Sequence, residues 1–284
     1  GSHIPVLLNC IGIIDDYTPD QAAFLREYLS QVSCISLRDR FSKMRIDSVC
    51  AEGTETVEVC DNLWLFNIHY PAEELAEIRE RLAPQLGLDV SVPYTILQYG
   101  TTYGYKEVSE AAKKIKKAYG TEIVLLPVNY CHEDMEALLL ISDELKDECL
   151  LIDRKLQPIE IMSIIAGASV FMGTTLHGAL TALSYHVRTL FLDMYHMYVS
   201  KMEGLLDHLN LLDYLVPDPS GIFCKYGQLL SDEHYWDTAD TAIPEFQSHL
   251  SGHFDRMAER IRSGESADCT ALLKRFIPGS ASPE

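Results

Sequence analysis

The sequence predicts an α/β protein whose second half is a doubly wound parallel sheet. Three observations carry that reading. From Val92 on, short apolar runs alternate with amphipathic stretches. The runs are continuously apolar, as strands covered on both faces must be. Proline and glycine fall where helices begin and end: Pro158 sits just inside one start, and Gly120 closes KEVSEAAKKIKKAYG. The bulk values agree. The 284 residues are 47% hydrophobic and 23% charged, with mean hydropathy near zero, which suffices for a core without disulfides or metals.

Taken in order, PVLLNCIGI (5–13) reads as a buried strand and PDQAAFLREYLSQ (19–31) as a helix. CISLRD (34–39) is a strand, FSKMRID a short helix, and VEVCDNLWLF (57–66) a further strand region. Residues 4–91 therefore read as the latter half of an α/β domain, either extending the main sheet or belonging to a second domain whose start is absent. Gly1, Ser2 and His3 look like a cloning remnant and are set aside. Residues 92–230 form a complete Rossmann-like domain. Its predicted strands are TILQYG (95–100), EIVLLPV (122–128), ECLLID (148–153), SVFMG (169–173) and TLFLDM (189–194). The intervening helices are a stretch of about two dozen residues around the lysine-rich run, then Glu133 to Lys146, Pro158 to Ala166, Leu176 to Ser184 and about Val199 to Leu209. Residues 231–276 read as C-terminal helices, with HLSGHFDRMAERIR amphipathic, and 277–284 as a disordered tail.

A net charge of −19 excludes a nucleic-acid binder, which needs a basic surface. A small anionic ligand needs only local cations, and Arg38, Asp39, Arg40, Lys43 and Arg45 carry an excess of three positive charges; a solvated face accounts for them equally well. The eight cysteines show no C-x-x-C pair, several lie in apolar runs, and no signal peptide is visible, which reads as reduced thiols in the cytoplasm. No apolar run approaches a membrane span.

The most informative segment is Gly173-Thr174-Thr175-Leu176-His177-Gly178-Ala179-Leu180, at a strand end where a helix begins. Ligands of open α/β sheets collect outside the carboxyl ends of the strands, and a helix start offers N–H groups to an anion. Thr174 or Thr175 is placed to cap the helix, with His177 in its first turn. Against this stands a plain reading in which the threonines only cap and His177 packs against a carbonyl. Arg38 and Asp39 follow the strand CISL, and Tyr198 and Lys201 follow TLFLDM. A salt bridge and a snorkelling lysine explain these equally well taken singly. Cys131-His132-Glu133-Asp134 is dense in ligand types, but adjacent residues at a helix start diverge, which reads against a metal site.

Together, SLRDRFS (36–42), Asp61, GTTLHGALTALSYHV (173–187) and YVSKMEGLLDHLNLLDYLV (198–216) resemble the polysaccharide pyruvyltransferases. That family shows an RD..S element, a later Asp, an LHG...A element, a tyrosine and lysine three apart and an lgL...v ending. The resemblance covers roughly residues 5–216. Departures are Thr175, where many members carry arginine, Asn62 in place of a proline, and the missing N-terminal glycine-rich segment.

The resemblance implies a two-domain glycosyltransferase-B architecture with an incomplete first domain. It also implies transfer of a pyruvyl group from phosphoenolpyruvate, with no other cofactor, onto two hydroxyls of a sugar or glycan acceptor, lipid-linked at the inner membrane face. That chemistry needs a general acid, cations for phosphate and carboxylate, and a base. His177 is the acid candidate or a phosphate holder. A helix N-terminus lowers its pKa and a bound anion raises it, so substrate binding is expected to protonate it. Arg38 is expected on the carboxylate and Lys201 on phosphate, with Thr174, Thr175, Gly178 and Tyr198 as further substrate contacts. Asp39 orients Arg38 or acts as the base. The loop TTYGYK (101–106) is assigned to the acceptor side. Two rival readings remain: a two-Rossmann glycosyltransferase using a nucleotide-sugar, and a non-catalytic glycan- or partner-binding member.

Overall fold

A computed structural model describes residues 6–13, 16–51, 54–130, 134–194 and 201–263, the Lys201 side chain excepted. The chain divides into two compact units, residues 1–62 with 244–284, and residues 63–243.

In the first unit, β1 (Leu7–Ile11), β2 (Cys34–Leu37) and β3 (Thr56–Glu58) form a parallel sheet in that order. Helix α1 (Pro19–Leu29) starts where Thr18 accepts from Gln21 N and Gln21 Oε1 accepts from Thr18 N, with Pro19 in the first turn. Helix α2 (Arg40–Val49) starts on Asp39. Leu29, Val32, Ile35, Leu37, Ile46 and Val49 make the core against which Leu8 and Ile11 pack. Leu8 and Ile11 are three apart yet share that core because the register shifts between them, where Cys10 takes φ 56°.

The opposite sheet face is covered by the C-terminal part of α11 (Ala239–Ser263), and its chemistry is polar. His253 Nε2 lies 3.2 Å from Asn9 Oδ1, which also accepts from Ser36 Oγ. Arg260 donates to Ser33 O and pairs with Glu55. Leu250 of the same helix is fully buried. Burial, reinforced by the nearby Arg256 and Arg260 charges, holds the His253 pKa below its usual 6.5. Below about pH 6.5 the unfolded chain takes up a proton that the buried imidazole refuses, so stability falls as pH drops towards the folded pKa. Between pH 7.5 and 5.5, wild type is expected to lose more of its denaturant midpoint than His253→Gln, measured by urea titration.

In the second unit, β4 (Tyr94–Gln98), β5 (Glu122–Leu125), β6 (Cys149–Leu151), β7 (Val170–Gly173), β8 (Arg188–Leu192) and β9 (Leu215–Val216) form one parallel sheet. Its order is β6-β5-β4-β7-β8-β9. Helix α5 (Tyr105–Tyr119) buries Val108, Ala111, Ala112 and Ile115, the spacing of one helical face, and ends on Gly120 at φ 66°. It packs against α6 (Asp134–Leu145), while α7 (Pro158–Ala166) packs against α8 (Leu176–Ser184). Helix α9 (Lys201–Leu209) follows β8, and α10 (Ile222–Ser231) lies against α5.

Several expectations need correction. The strand region expected over 57–66 is strand only to Glu58. Asn62–Leu65 is a 3-10 turn and α3 (Phe66–His69) continues it, because this apolar run buries Trp64 from a helical path. Helix α4 (Ala72–Leu86), with Pro84 in its last turn, was not anticipated. It packs on α7, so residues from Leu63 belong with the second unit instead of forming part of a domain ending at 91. The C-terminal helices expected as a separate segment divide between the units, with the division inside α11. Helix α5 is 15 residues long, shorter than expected, because Gly104 at φ 66° starts it. The expected tail lies outside the described residues.

Candidate active site

Both units carry polar side chains at the carboxyl ends of their parallel strands. In the first unit, β2 delivers Arg38 and Asp39. Asp39 Oδ1 accepts from Ser42 N at 2.7 Å and Oδ2 from Ser42 Oγ at 2.8 Å, while Ser42 Oγ accepts from Ile13 N. Asp39 is therefore the N-cap of α2, with both oxygens engaged. Arg38 Nε is 3.6 Å from Asp39 Oδ2, and Nη1 is 3.9 Å from Asp61 Oδ2. The guanidinium lies on Gly12, where a Cβ would come within 2.3 Å of it. Arg38 is thus a largely buried cation held between two carboxylates.

Cys10 Sγ donates to Cys60 O beside this group. Burial, then the Asp61 charge, pushes the Cys10 thiol up to about 12. Burial, with Cys10 beside it, does the same for Cys60, also to about 12. Thiols so placed stay protonated at neutral pH and are weak nucleophiles.

In the second unit the strand order reverses direction between β4 and β7, the switch point at which open α/β sheets form their ligand crevice. Gln98, the last residue of β4, is 1% exposed. Its Oε1 accepts from Thr174 N and Thr175 N, both at 2.9 Å, and its Nε2 donates to Asp134 Oδ2 at 2.9 Å. Asp134 Oδ2 also accepts from Val128 N and Asn129 N. Thr174 Oγ1 accepts from Gly100 N.

The expected threonine cap is absent in that form. Thr175 occupies the N-cap of α8 without a side-chain hydrogen bond, and Gln98 takes the adjoining amides from the neighbouring strand. His177 is exposed in the first turn of α8. Gly178 faces the Phe171 ring, where a Cβ would stand 2.5 Å from Cζ, so its role is packing. Tyr198 and the Lys201 side chain lie outside the described residues, as do Cys131, His132 and Glu133. In the 101–106 loop, Tyr103 O accepts from Tyr99 Oη, and Gly104 lies against Pro219. Among the described residues no cluster of metal-ligating side chains occurs.

Sequence reasoning did not single out Gln98, Gly100 or Gly12, and it weighed Asp134 only within the run Cys131-His132-Glu133-Asp134 as a metal ligand. A signal was present for one of them: Gln98 is polar at the end of a strand covered on both faces, and such a group requires partners. Gly100 is a close approach within this group, because a Cβ there would lie 2.9 Å from Asp134 Oδ1 and 3.2 Å from Thr174 Oγ1. Gly100→Ala is expected to destabilise the protein by about 1–3 kcal/mol, read from the denaturation midpoint.

Two α/β units carry polar groups at their strand ends, and one of them has the Rossmann strand order, which makes this a Rossmann-like α/β fold. A Burkholderia xenovorans UDP-forming α,α-trehalose-phosphate synthase matches with TM-score 0.58 and 14% identity, over 93% of this chain and 68% of that one. A Thermosynechococcus elongatus sucrose-phosphate synthase matches with TM-score 0.54 and 13% identity, over 87% and 63%. UDP-GlcNAc 2-epimerase from Neisseria meningitidis matches with TM-score 0.53 and 11% identity, over 78% and 61%. The chain thus spans 61–68% of the length of these three structures, and the likeness is one of fold. No curated protein matches the sequence. The polysaccharide pyruvyl transferase family profile matches residues 3–194. The chain belongs to that family, whose members are transferases acting on polysaccharide. Among the described residues no helix is long and apolar enough to cross a membrane.

Proposed function

We propose that the protein transfers the pyruvyl group of phosphoenolpyruvate to two hydroxyls of a sugar in cell-surface polysaccharide biosynthesis. The observation that carries this reading is that the matched span, residues 3–194, contains both Arg38 and His177, each just past the carboxyl end of a parallel strand.

The reaction begins with proton addition to the methylene carbon, which leaves positive charge on the neighbouring carbon. A sugar hydroxyl attacks that carbon, and the C–O bond to phosphate breaks. The second hydroxyl then closes the ketal. One hydroxyl proton balances the new methyl group and the other leaves with phosphate. His177 is assigned the proton donation, since the first turn of α8 is exposed and a bound anion favours its charged form. Arg38 is assigned the carboxylate, because a guanidinium held between Asp39 and Asp61 keeps its fork fixed. Lys201 and Tyr198 are assigned to the phosphate, and the 101–106 loop to the acceptor. A lipid-linked acceptor places the work at the cytoplasmic face of the membrane.

Calorimetric titration with phosphoenolpyruvate tests this. Saturable binding by wild type, weakened at least tenfold by Arg38→Ala and by His177→Ala, is the expected result, since each removes a charged hydrogen-bonding group worth about 1.5–3 kcal/mol. Binding and turnover of a nucleotide-sugar, with none of phosphoenolpyruvate, would replace it with the glycosyltransferase reading.

A further inference from the structure

We infer that Gln98 is a positioning residue for His177, holding the turn into α8 by accepting from the main-chain amides of the two residues that lead into that helix. The inference rests on the transferase reading for the role of His177. Its geometry stands within the second unit alone.

Gln98 lies at the end of β4 and bridges to the two loops on either side of it. On one side, its Oε1 accepts from Thr174 N and Thr175 N, which join β7 to α8. On the other, its Nε2 donates to Asp134, whose Oδ2 already accepts from Val128 N and Asn129 N after β5. This pattern permits one orientation of the amide. The oxygen must face two main-chain N–H groups, and the nitrogen must face a carboxylate. Thr174 Oγ1 adds a bond to Gln98 Oε1 at 3.3 Å and accepts from Gly100 N.

The side chain therefore ties the strands on both sides of the switch point to the residue two positions before His177. A glutamate at 98 sets a second carboxylate against Asp134. A methionine leaves both threonine amides without their acceptor.

The experiment compares wild type, Gln98→Met and Gln98→Glu. Each is characterised by thermal melting, by kcat and KM for phosphoenolpyruvate, and by titration of the His177 imidazole in histidine-labelled protein. The two single variants are expected to lose about 10²-fold in kcat with KM little changed, the scale of a small misplacement of a reacting group, and to titrate His177 at a shifted midpoint. Single variants that melt lower yet titrate His177 as wild type does would overturn the proposal and leave Gln98 a purely structural group. If wild type shows no turnover with phosphoenolpyruvate, the transferase reading fails, and the His177 titration still decides whether Gln98 positions that residue.

Discussion

Replacing Arg38 with lysine is expected to lower kcat/KM for phosphoenolpyruvate by about 10²-fold while leaving the melting temperature nearly unchanged. The guanidinium lies flat on Gly12, in a space that exists because that residue has no Cβ, and sits between Asp39 and Asp61. A lysine keeps the charge near both carboxylates, so the fold retains its electrostatic balance. It does not keep the planar fork that meets a carboxylate with two parallel N–H bonds. Losing one charge-assisted hydrogen bond and the orientation it imposes costs about 1.5–3 kcal/mol, or roughly ten- to a hundredfold, and the fixed slot argues for the upper end. Steady-state kinetics beside a melting curve check this. A lysine variant with wild-type kinetics would remove Arg38 from the carboxylate.

A chain ending at Ile243 is expected to lose the folded first unit altogether while keeping the second. Three short parallel strands cannot stand with one face bare, because parallel sheets need cover on both sides. Here the second cover is α11, through the fully buried Leu250, the His253–Asn9 bond and the Arg260 bonds to Ser33 and Glu55. Hydrogen exchange gives the measurement. Amides of Leu7–Ile11 and Cys34–Leu37 should exchange at unprotected rates in the shortened chain, while those of Tyr94–Gln98 and Val170–Gly173 stay slow. Persistent protection in β1 and β2 would mean that α11 adds little to that unit.

Much of the second unit was legible beforehand because its signals are local. Strands such as EIVL and VFMG are apolar throughout, and helix limits at Pro158 and Gly120 are set by residues whose backbone chemistry acts where they stand. The same holds for placing Arg38 after β2 and His177 at the start of α8. Helix α4 carries a weak signal because AEELAEIRERLAPQL is rich in glutamate and arginine, contains Pro84, and buries little beyond Leu75, Leu82 and Ala83. The run NLWLF was misread because a short apolar stretch suits either a strand or a helical turn, and only the burial of Trp64 decides.

By itself the sequence determined the alternation of strand and helix, the parallel character of the sheet and the family, since each depends on residue types in order along the chain. Tertiary structure alone decided that β4 lies between β5 and β7, and that Gln98 and not a threonine serves the start of α8. It also decided that the C-terminal helix covers the first sheet. These are contacts between residues far apart in the chain. Gln98 is 76 positions from Thr174, and His253 is 244 from Asn9, and no local preference encodes which of many polar partners a buried group will find once the core has closed around it.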